Sequence, residues 1–192
     1  MTHFRISTLL VSLFIFSTLA FAQHFEVGGF ASYGNFDVPD FPNSAVGAGG
    51  RVDIGITHYL KFEAEGSYDF RHPRVEIFNN GINASVDTLS LAILHGNGGL
   101  KFQLKDGSYF FFIKGGVLNF MPEVKTTSVI GTISNNNGIA TSDFTKGSLY
   151  PGGGVGFHAG PLGIRIDAGD EIYWSHGAKN NLRVTFGPSI RF

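Results

Sequence analysis

The amino-acid sequence predicts an all-β protein, an eight-stranded antiparallel up-and-down transmembrane β-barrel. Three observations lead to this prediction: an apolar export segment near the N-terminus, a two-residue alternation of apolar and polar side chains, and alternating short and long connections. Successive side chains of a strand point to opposite faces, so the alternation gives each strand one apolar and one polar face. Such two-faced strands suit a barrel with lipid outside and a polar interior.

The N-terminal segment has the features of a secretory signal peptide. Residues 2–5 carry one positive charge, residues 6–19 are mostly apolar, and the small residues Ala20 and Ala22 precede Gln23. We expect cleavage before Gln23, which divides the chain into a signal peptide (1–22) and one barrel domain (23–192). A retained spanning helix is the alternative, but the apolar stretch is shorter than the ~20 residues that such a helix needs.

The composition excludes several classes of protein. The formal net charge of −1 gives no general footprint for nucleic acid. The absence of cysteine excludes disulfides and lipoprotein acylation. The histidines show no metal-ligand spacing, so we expect neither a metal nor a cofactor. The 27 glycines and 20 phenylalanines fit strands that alternate between a crowded interior and an aromatic, lipid-facing surface.

The first four predicted strands occupy residues 24–33, 46–56, 60–70 and 89–102. The second and third alternate most cleanly, and each has about eleven residues, the length that a tilted strand needs to cross a bilayer. The fourth alternates poorly. For this strand we predict that Leu94, Leu100 and Phe102 face outward, and that His95, Asn97 and Lys101 face inward.

The last four predicted strands occupy residues 109–120, 149–159, 164–173 and 182–192. The eighth alternates without interruption from Leu182 to the terminal Phe192, with Arg183 and Arg191 on its polar face. Pro188 cannot donate a backbone hydrogen bond, so we expect an irregularity or a bulge beside it.

The connections after the second, fourth and sixth strands are short, at 57–59, 105–107 and 160–162, whereas most of the others are long. Outer-membrane barrels have short turns on the periplasmic side and longer extracellular loops. Asn-Gly pairs within 79–81 and 135–138 indicate hairpin tips, so strands three to six are expected to continue beyond the membrane as paired ribbons.

The polar faces carry acids and bases in nearly equal numbers. We predict an interior charge network made by Glu26, Arg51, Asp53, Lys61, Glu63, Glu65, Lys114, Arg165, Asp167, Glu171, Arg183 and Arg191, with Asp69 as a further acid. An eight-stranded barrel is just wide enough for side chains to fill, which favours a hydrogen-bonded plug over the alternative of a narrow ion path. Aromatic residues near the strand ends are predicted to form two interfacial girdles: Tyr59, Tyr109, Tyr150, Tyr68, Phe70, Tyr173 and Trp174.

The sequence resembles the small outer-membrane β-barrel family that includes the OmpA transmembrane domain and OmpX. The features that carry the resemblance are the signal peptide, the eight alternating strands, the short turns, the Gly-rich segment 152–157 and the terminal Ser-Ile-Arg-Phe. The resemblance implies location in the outer membrane of a Gram-negative bacterium. It implies contact with outer-membrane lipids, the export system and the barrel-assembly machinery, with Phe186, Ile190 and Phe192 as the assembly signal. It also implies a non-catalytic structural or adhesive role, in which extracellular loops meet a partner.

Two alternatives remain at this stage. A secreted soluble barrel of the lipocalin type would bind a small apolar ligand and would have the opposite facing, apolar inside and charged outside. Some small outer-membrane barrels modify lipid A, and Ser175 and His176 near Asp170 and Glu171 suggest a Ser-His-acid site. Adjacent residues of a strand point to opposite faces, so that site requires a turn at Ser175.

Overall fold

A computed structural model describes residues 25–36, 38, 43–79, 84–104, 108–130, 143–175 and 177–192. Within these ranges the regular secondary structure is extended, and no helix is long and apolar enough to cross a membrane. Ten strands are present: β1 (Phe25–Asn35), β2 (Ser44–Gly55), β3 (Leu60–Asn79), β4 (Ala84–Gln103), β5 (Tyr109–Ile130), β6 (Phe144–Ala159), β7 (Leu162–Asp170), β8 (Ile172–Trp174), β9 (Ala178–Lys179) and β10 (Leu182–Arg191).

The ten strands occupy eight positions around one closed barrel, and we call each position a stave. β7 and β8 pair with β6 in a single register, and β9 and β10 pair with β8 and β7 in a single register. Each of these couples is therefore one stave with a short interruption near residue 171 or 181. All pairings are antiparallel between neighbours, and β1 pairs with β10 to close the ring. The predicted eight-stranded antiparallel barrel is confirmed.

The two faces of the wall differ as the alternation predicts. On β10, Leu182, Phe186 and Ile190 are exposed on the outside, while Arg183, Thr185 and Ser189 are buried inside. Large apolar side chains are exposed in the same way on the outer faces of the other staves. This facing is the reverse of the one that the soluble lipocalin-like alternative requires. A continuous apolar outer surface of this extent is stable in lipid rather than in water.

The staves are of unequal height. β2 pairs with β3 only as far as Gly47 and Asp69, and β5 pairs with β6 only as far as Phe120 and Phe144. Beyond these points β3, β4 and β5 continue as a three-stranded sheet, since β3 and β4 have 20 residues each and β5 has 22. We call this extension the tall wall. The continuation of β3, β4 and β5 agrees with the predicted ribbons, whereas β6 begins at Phe144 and does not continue with them in the described residues. Residues 80–83 and 131–142, which contain parts of the Asn-Gly signals, lie outside the described residues.

Three local predictions need correction or completion. Tyr150 and Tyr173 are buried inside the barrel and cannot belong to an interfacial girdle, because they share the inward parity of their strands. The other five girdle residues are exposed. Pro188 is accompanied by an irregularity of the ladder, as predicted, although no bulge forms. The β1–β10 register is the same on both sides of it, and only the pairs opposite Gly187 and Pro188 are missing from the ladder.

The short connections lie at one end of the barrel. The link between β2 and β3 is a tight bend in which Thr57 N donates to the Leu60 carbonyl oxygen. The link between β6 and β7 is a turn at Gly160, whose φ of 63° favours glycine. Residues 105–107, the third predicted short connection, and the signal-peptide residues Ala20, Ala22 and Gln23 lie outside the described residues.

Candidate functional site: the barrel interior

The barrel interior gathers the charged residues because the strands alternate. Residues of one parity on β1, β2, β3, β5, β7 and β10 all project into a narrow space that the side chains of opposite strands fill. The structure places all twelve residues of the predicted network there. Eleven of them are buried, and Arg191 is partly exposed at the end of the barrel that carries the short turns. Lys101 and Asp69 are buried in the same space.

Glu63 lies at the centre of the network. Its carboxylate accepts two hydrogen bonds from the Arg165 guanidinium, at 2.6 and 3.1 Å, and lies 2.6 Å from the Lys114 ammonium. The Lys101 ammonium is 3.4 Å away and also donates to Asp53. One buried carboxylate thus meets three cations, and this strong compensation is what a charge in a low-dielectric interior requires.

Asp167 organises a second group beside the first. Arg165 Nε donates to Asp167 at 2.7 Å, and Arg51 donates to the same carboxylate. The Thr185 hydroxyl donates to the other oxygen of Asp167 at 2.6 Å and accepts from Arg51 at 2.6 Å. Arg165 therefore connects the Glu63 and Asp167 groups, so that they form one network.

Glu65 and Arg183 form the next group towards the tall wall. Glu65 accepts from Lys114 at 2.6 Å and from Arg183 at 2.8 Å. Arg183, with a fully buried side chain, also donates to the Ser67 hydroxyl at 2.5 Å. A guanidinium has several donors in one plane, which allows it to connect residues of different staves.

His95 closes the charged region on this side. Its two ring nitrogens lie 2.9 Å from the Asp69 and Glu171 carboxylates. Glu171 also accepts from the Asn97 amide at 2.8 Å. At the opposite end, Glu26 contacts Lys61 at 3.3 Å, His158 at 3.3 Å and Arg191 at 3.4 Å.

Aromatic rings pack against the interior Arg and Lys side chains on the sides that no carboxylate contacts. The guanidinium of Arg51 lies 4.3 Å from the centre of the Phe30 ring, and that of Arg165 lies 4.2 Å from Phe110. The Lys114 ammonium lies 4.1 Å from Phe112. These are cation–π distances, and they leave little room for water around the charges.

An apolar layer lies above the charged region, towards the tall wall. Its buried members come from the loop after β1, from β2, β4 and β5, and from β8: Phe36, Val38, Ala45, Leu89, Leu91, Ile93, Leu118, Phe120 and Tyr173. The Phe36 ring lies 5.8 Å from the His95 ring, so the layer rests directly on the charged network.

Sequence reasoning missed parts of this interior. The predicted network omitted Lys101 and His95, although both were expected to face inward on the fourth strand, and their buried positions agree with that facing. The apolar layer was missed altogether. Leu89, Leu91 and Ile93 share the parity of His95 and Asn97, so the signal was present as an inward face that turns apolar at one end.

The proposed Ser-His-acid site has no geometric support in the described residues. Ser175 does lie in a turn, where its backbone N–H donates to the Gly177 carbonyl oxygen, but His176 lies outside the described residues. Asp170 faces outward, whereas Glu171 faces inward and is occupied by His95 and Asn97. In the part of the chain that the structure describes, no cluster of three His, Cys, Asp or Glu side chains could hold a metal ion.

The predicted assembly-signal residues lie on the lipid-facing side of the last strand, with Phe186 near its middle and Ile190 and Phe192 at the short-turn end. Phe186, Ile190 and Phe192 are all exposed there. Phe192 N donates to the Phe25 carbonyl oxygen at 2.7 Å, so the last residue is part of the closing seam between β1 and β10.

Several solved structures with a similar fold are those of outer-membrane barrels. The attachment invasion locus protein Ail of Yersinia pestis, solved in complex with the heparin analogue sucrose octasulfate, is 15% identical over 88% of this chain and 97% of its own, with a TM-score of 0.52. The N-terminal barrel of OprF from Pseudomonas aeruginosa is 11% identical, covers 87% of this chain and 97% of its own, and has a TM-score of 0.41. Neisserial surface protein A is 15% identical, with coverages of 88% and 97% and a TM-score of 0.41.

No family model and no curated protein matches the sequence. At identities of 11–15%, these comparisons show a similarity of fold and no more. Of these three structures, that of Ail has a TM-score above 0.5. The chain has the fold of the small outer-membrane β-barrels. The exposed apolar side chains on its outer face agree with the predicted location in a Gram-negative outer membrane.

Proposed function

We propose that the chain is a non-catalytic integral outer-membrane protein that mediates attachment through its tall wall. The observation that carries the proposal is the continuation of β3, β4 and β5 as a sheet beyond the last pairings with β2 and β6. Strands that only need to cross the bilayer are about half this length, as β1 and β2 are. The additional length presents a surface to the outside of the cell.

The filled interior suits a rigid support better than a transport path. The interior holds seven buried or half-buried acids and seven such bases: Glu26, Asp53, Glu63, Glu65, Asp69, Asp167 and Glu171 against Arg51, Lys61, Lys101, Lys114, Arg165, Arg183 and Arg191. Six of the acids contact these bases directly, and Asp69 contacts His95. Balanced charges in contact leave no unpaired charge to attract a permeating ion. We propose that this network locks the staves together under the tall wall.

The same proposal includes the route to the membrane. The signal peptide is removed before Gln23, and Phe186, Ile190 and Phe192 present the last strand to the barrel-assembly machinery. Their exposure on the outer face of the closing seam supports this role. The apolar outer surface then contacts outer-membrane lipids.

Attachment is also suggested by the similar barrel Ail, named as an attachment protein and solved with a heparin analogue. The tall wall carries the exposed cations Arg71 and Lys125, both within ion-pair distance of Glu123. Because both cations already pair with Glu123, they do not by themselves indicate a sulfated ligand. We therefore propose attachment as the function and treat sulfated glycans as one of the ligands to test.

The experiment shortens the tall wall and leaves the barrel intact. Val75 pairs with Thr88, so replacing residues 76–87 with Asn-Gly rebuilds a two-residue hairpin at that pair. Cells that display the full-length protein are expected to adhere to epithelial monolayers or to immobilised heparin, and cells with the shortened variant are expected to lose most of this adhesion.

Two controls make the result interpretable. Heat-modifiable gel mobility of both proteins shows that each barrel has folded, and surface labelling shows that equal amounts reach the cell surface. Equal adhesion of the two strains, or no adhesion above that of cells without the protein, would contradict the proposed function.

A further inference from the structure

A polar cleft opens on the outer surface of the barrel, on the side opposite β4. It lies at the end of β1 and β10 that is remote from the short turns, and its volume is about 480 Å³. Its described lining residues are Asn35, Phe36, Asn43, Asp170, Asn180 and Leu182. The cleft lies away from the tall wall, and at Phe36 it borders the apolar layer of the interior.

The cleft lies at an interruption of the sheet. β10 pairs with β7 up to Leu182 and Asp170, and pairing resumes between Lys179 and Tyr173. Between these pairs, Glu171 N donates to the Asn181 carbonyl oxygen at 2.8 Å, and the Asn181 side-chain amide donates to the Glu171 carbonyl oxygen at 3.0 Å. Because the Asn181 side chain takes over part of the backbone pairing, the opening is held in shape.

The height of the cleft is set by the pairing of three neighbouring staves. Asn35, Leu182 and Asp170 form one outward-facing row, and the next row down is Tyr33, Val184 and Ala168. The outer surface therefore changes from apolar to polar at this row. In an outer-membrane barrel this boundary meets the headgroups of the outer leaflet.

The lining has the chemistry of a site for neutral hydroxyl groups. Three carboxamides can each donate and accept, and the Asp170 carboxylate can accept. Asp170 Oδ1 is shielded from solvent and has no hydrogen-bond partner in the described part of the chain. The described lining contains no Lys or Arg, which disfavours phosphate or sulfate, and the exposed Leu182 offers apolar contact for a C–H face.

We propose that this cleft binds a neutral sugar through its hydroxyl groups, with Asp170 and Asn180 as the main contacts. The sugar can come from the headgroup of a glycolipid in the outer leaflet or from a free saccharide, because the chemistry at the cleft is the same. The proposal does not depend on the attachment function of the tall wall.

The test follows the side-chain amide signals of Asn35, Asn43 and Asn180 by NMR in the full-length protein, refolded in phosphocholine micelles or vesicles without sugar headgroups. One arm adds soluble maltose, and the other adds monoglucosyl diacylglycerol to the vesicles. A saturable shift of these signals in either arm supports the proposal, and the arm that responds identifies the source of the sugar.

Variants locate the site and guard against loss of folding. Asp170→Ala and Asn180→Ala are each expected to weaken the response about tenfold, as the loss of a hydrogen bond to a charged or polar partner does. Asn119→Ala is the control, because Asn119 bonds to Thr145 on another stave. No saturable shift with either sugar, an unchanged response in both cleft variants, or a shift with inorganic phosphate alone would overturn the proposal.

Discussion

Two arginine–carboxylate pairs in this barrel have similar chemistry but opposite surroundings. Arg183 donates to Glu65 inside the barrel, where both side chains are at most 1% exposed. Arg71 donates to Glu123 on the outer surface of the tall wall, where the side chains are 43% and 38% exposed. Removing one partner of a buried pair leaves an unpaired charge in a low-dielectric medium, whereas the surviving charge of an exposed pair is solvated.

We therefore expect Arg183→Met to lower the free energy of unfolding by about 3–5 kcal/mol, because Glu65 loses one of its two cations. The matched variant Arg71→Met should cost less than about 1 kcal/mol. The measurement is denaturant unfolding in phosphocholine vesicles, followed by the fluorescence of Trp174, the single tryptophan. Similar costs for the two variants would show that the interior pair is solvated.

At this scale the sequence predicts which side of the wall a residue faces but not which partner it meets. The period-two pattern is enough to bring Glu63, Arg165 and Lys114 inside. Their contact depends on the stagger between staves, which brings residues of β3, β5 and β7 to one height, and no local pattern encodes it. Lys101 was missed as a network member because the surrounding glycines on β4 obscure the alternation.

The number of strands around the barrel was predicted correctly, whereas the ends of some strands were not. The ends of β1, β2 and β10 agree with the predictions to within two residues, because polar turns bound them. β3 and β5 continue nine and ten residues beyond their predicted ends at 70 and 120. The predicted bounds covered only the membrane-crossing parts, because the Asn-Gly signals predicted a continuation as ribbons without fixing its length. Pairing with β4 supports this continuation in water.

The closing seam between β1 and β10 depends on a glycine. A Cβ at Gly187 would lie 1.9 Å from the Gly29 carbonyl oxygen, whereas a Cβ at Gly29 would meet nothing closer than 3.9 Å. The missing ladder pairs next to Pro188 already weaken this seam. Gly187 is thus required by close approach of the backbones rather than by its own conformational freedom.

We expect Gly187→Ala to destabilise the barrel by about 1–3 kcal/mol, the usual cost of overpacking, because the β1 backbone must shift. Gly29→Ala at the same seam should be close to neutral. Heat-modifiable gel mobility and refolding yield in phosphocholine vesicles check both variants. If Gly187→Ala refolds like the unmutated protein, the seam is looser than this contact implies.

The whole molecule has two successive barriers along its axis. The charged network from Glu26 to Glu171 fills the lower and middle parts, and the apolar layer around Phe120 and Tyr173 fills the part next to the outside. An ion that enters from outside must first pass an apolar constriction, which excludes water, and then displace contacts between paired charges. The charges in the sequence predicted the network of paired charges, which is the second barrier. The apolar layer, which is the first barrier, was missed because the interior of a membrane barrel was expected to be polar throughout.

Because each barrier is sufficient alone, we expect the reconstituted protein to show no steady conductance in planar bilayers. Phe120→Ser, which makes the apolar layer polar, should remain closed, since the network around Glu63 and Arg165 still occupies the lumen. Arg165→Ala should also remain closed, since the apolar layer persists. A porin of 16 strands, whose lumen is an aqueous channel, is the positive control in the same bilayers.

A stable open level in the unmutated protein would contradict the filled interior. An open level in Phe120→Ser alone would show that the apolar layer is the only barrier and that water already reaches the charges beneath it.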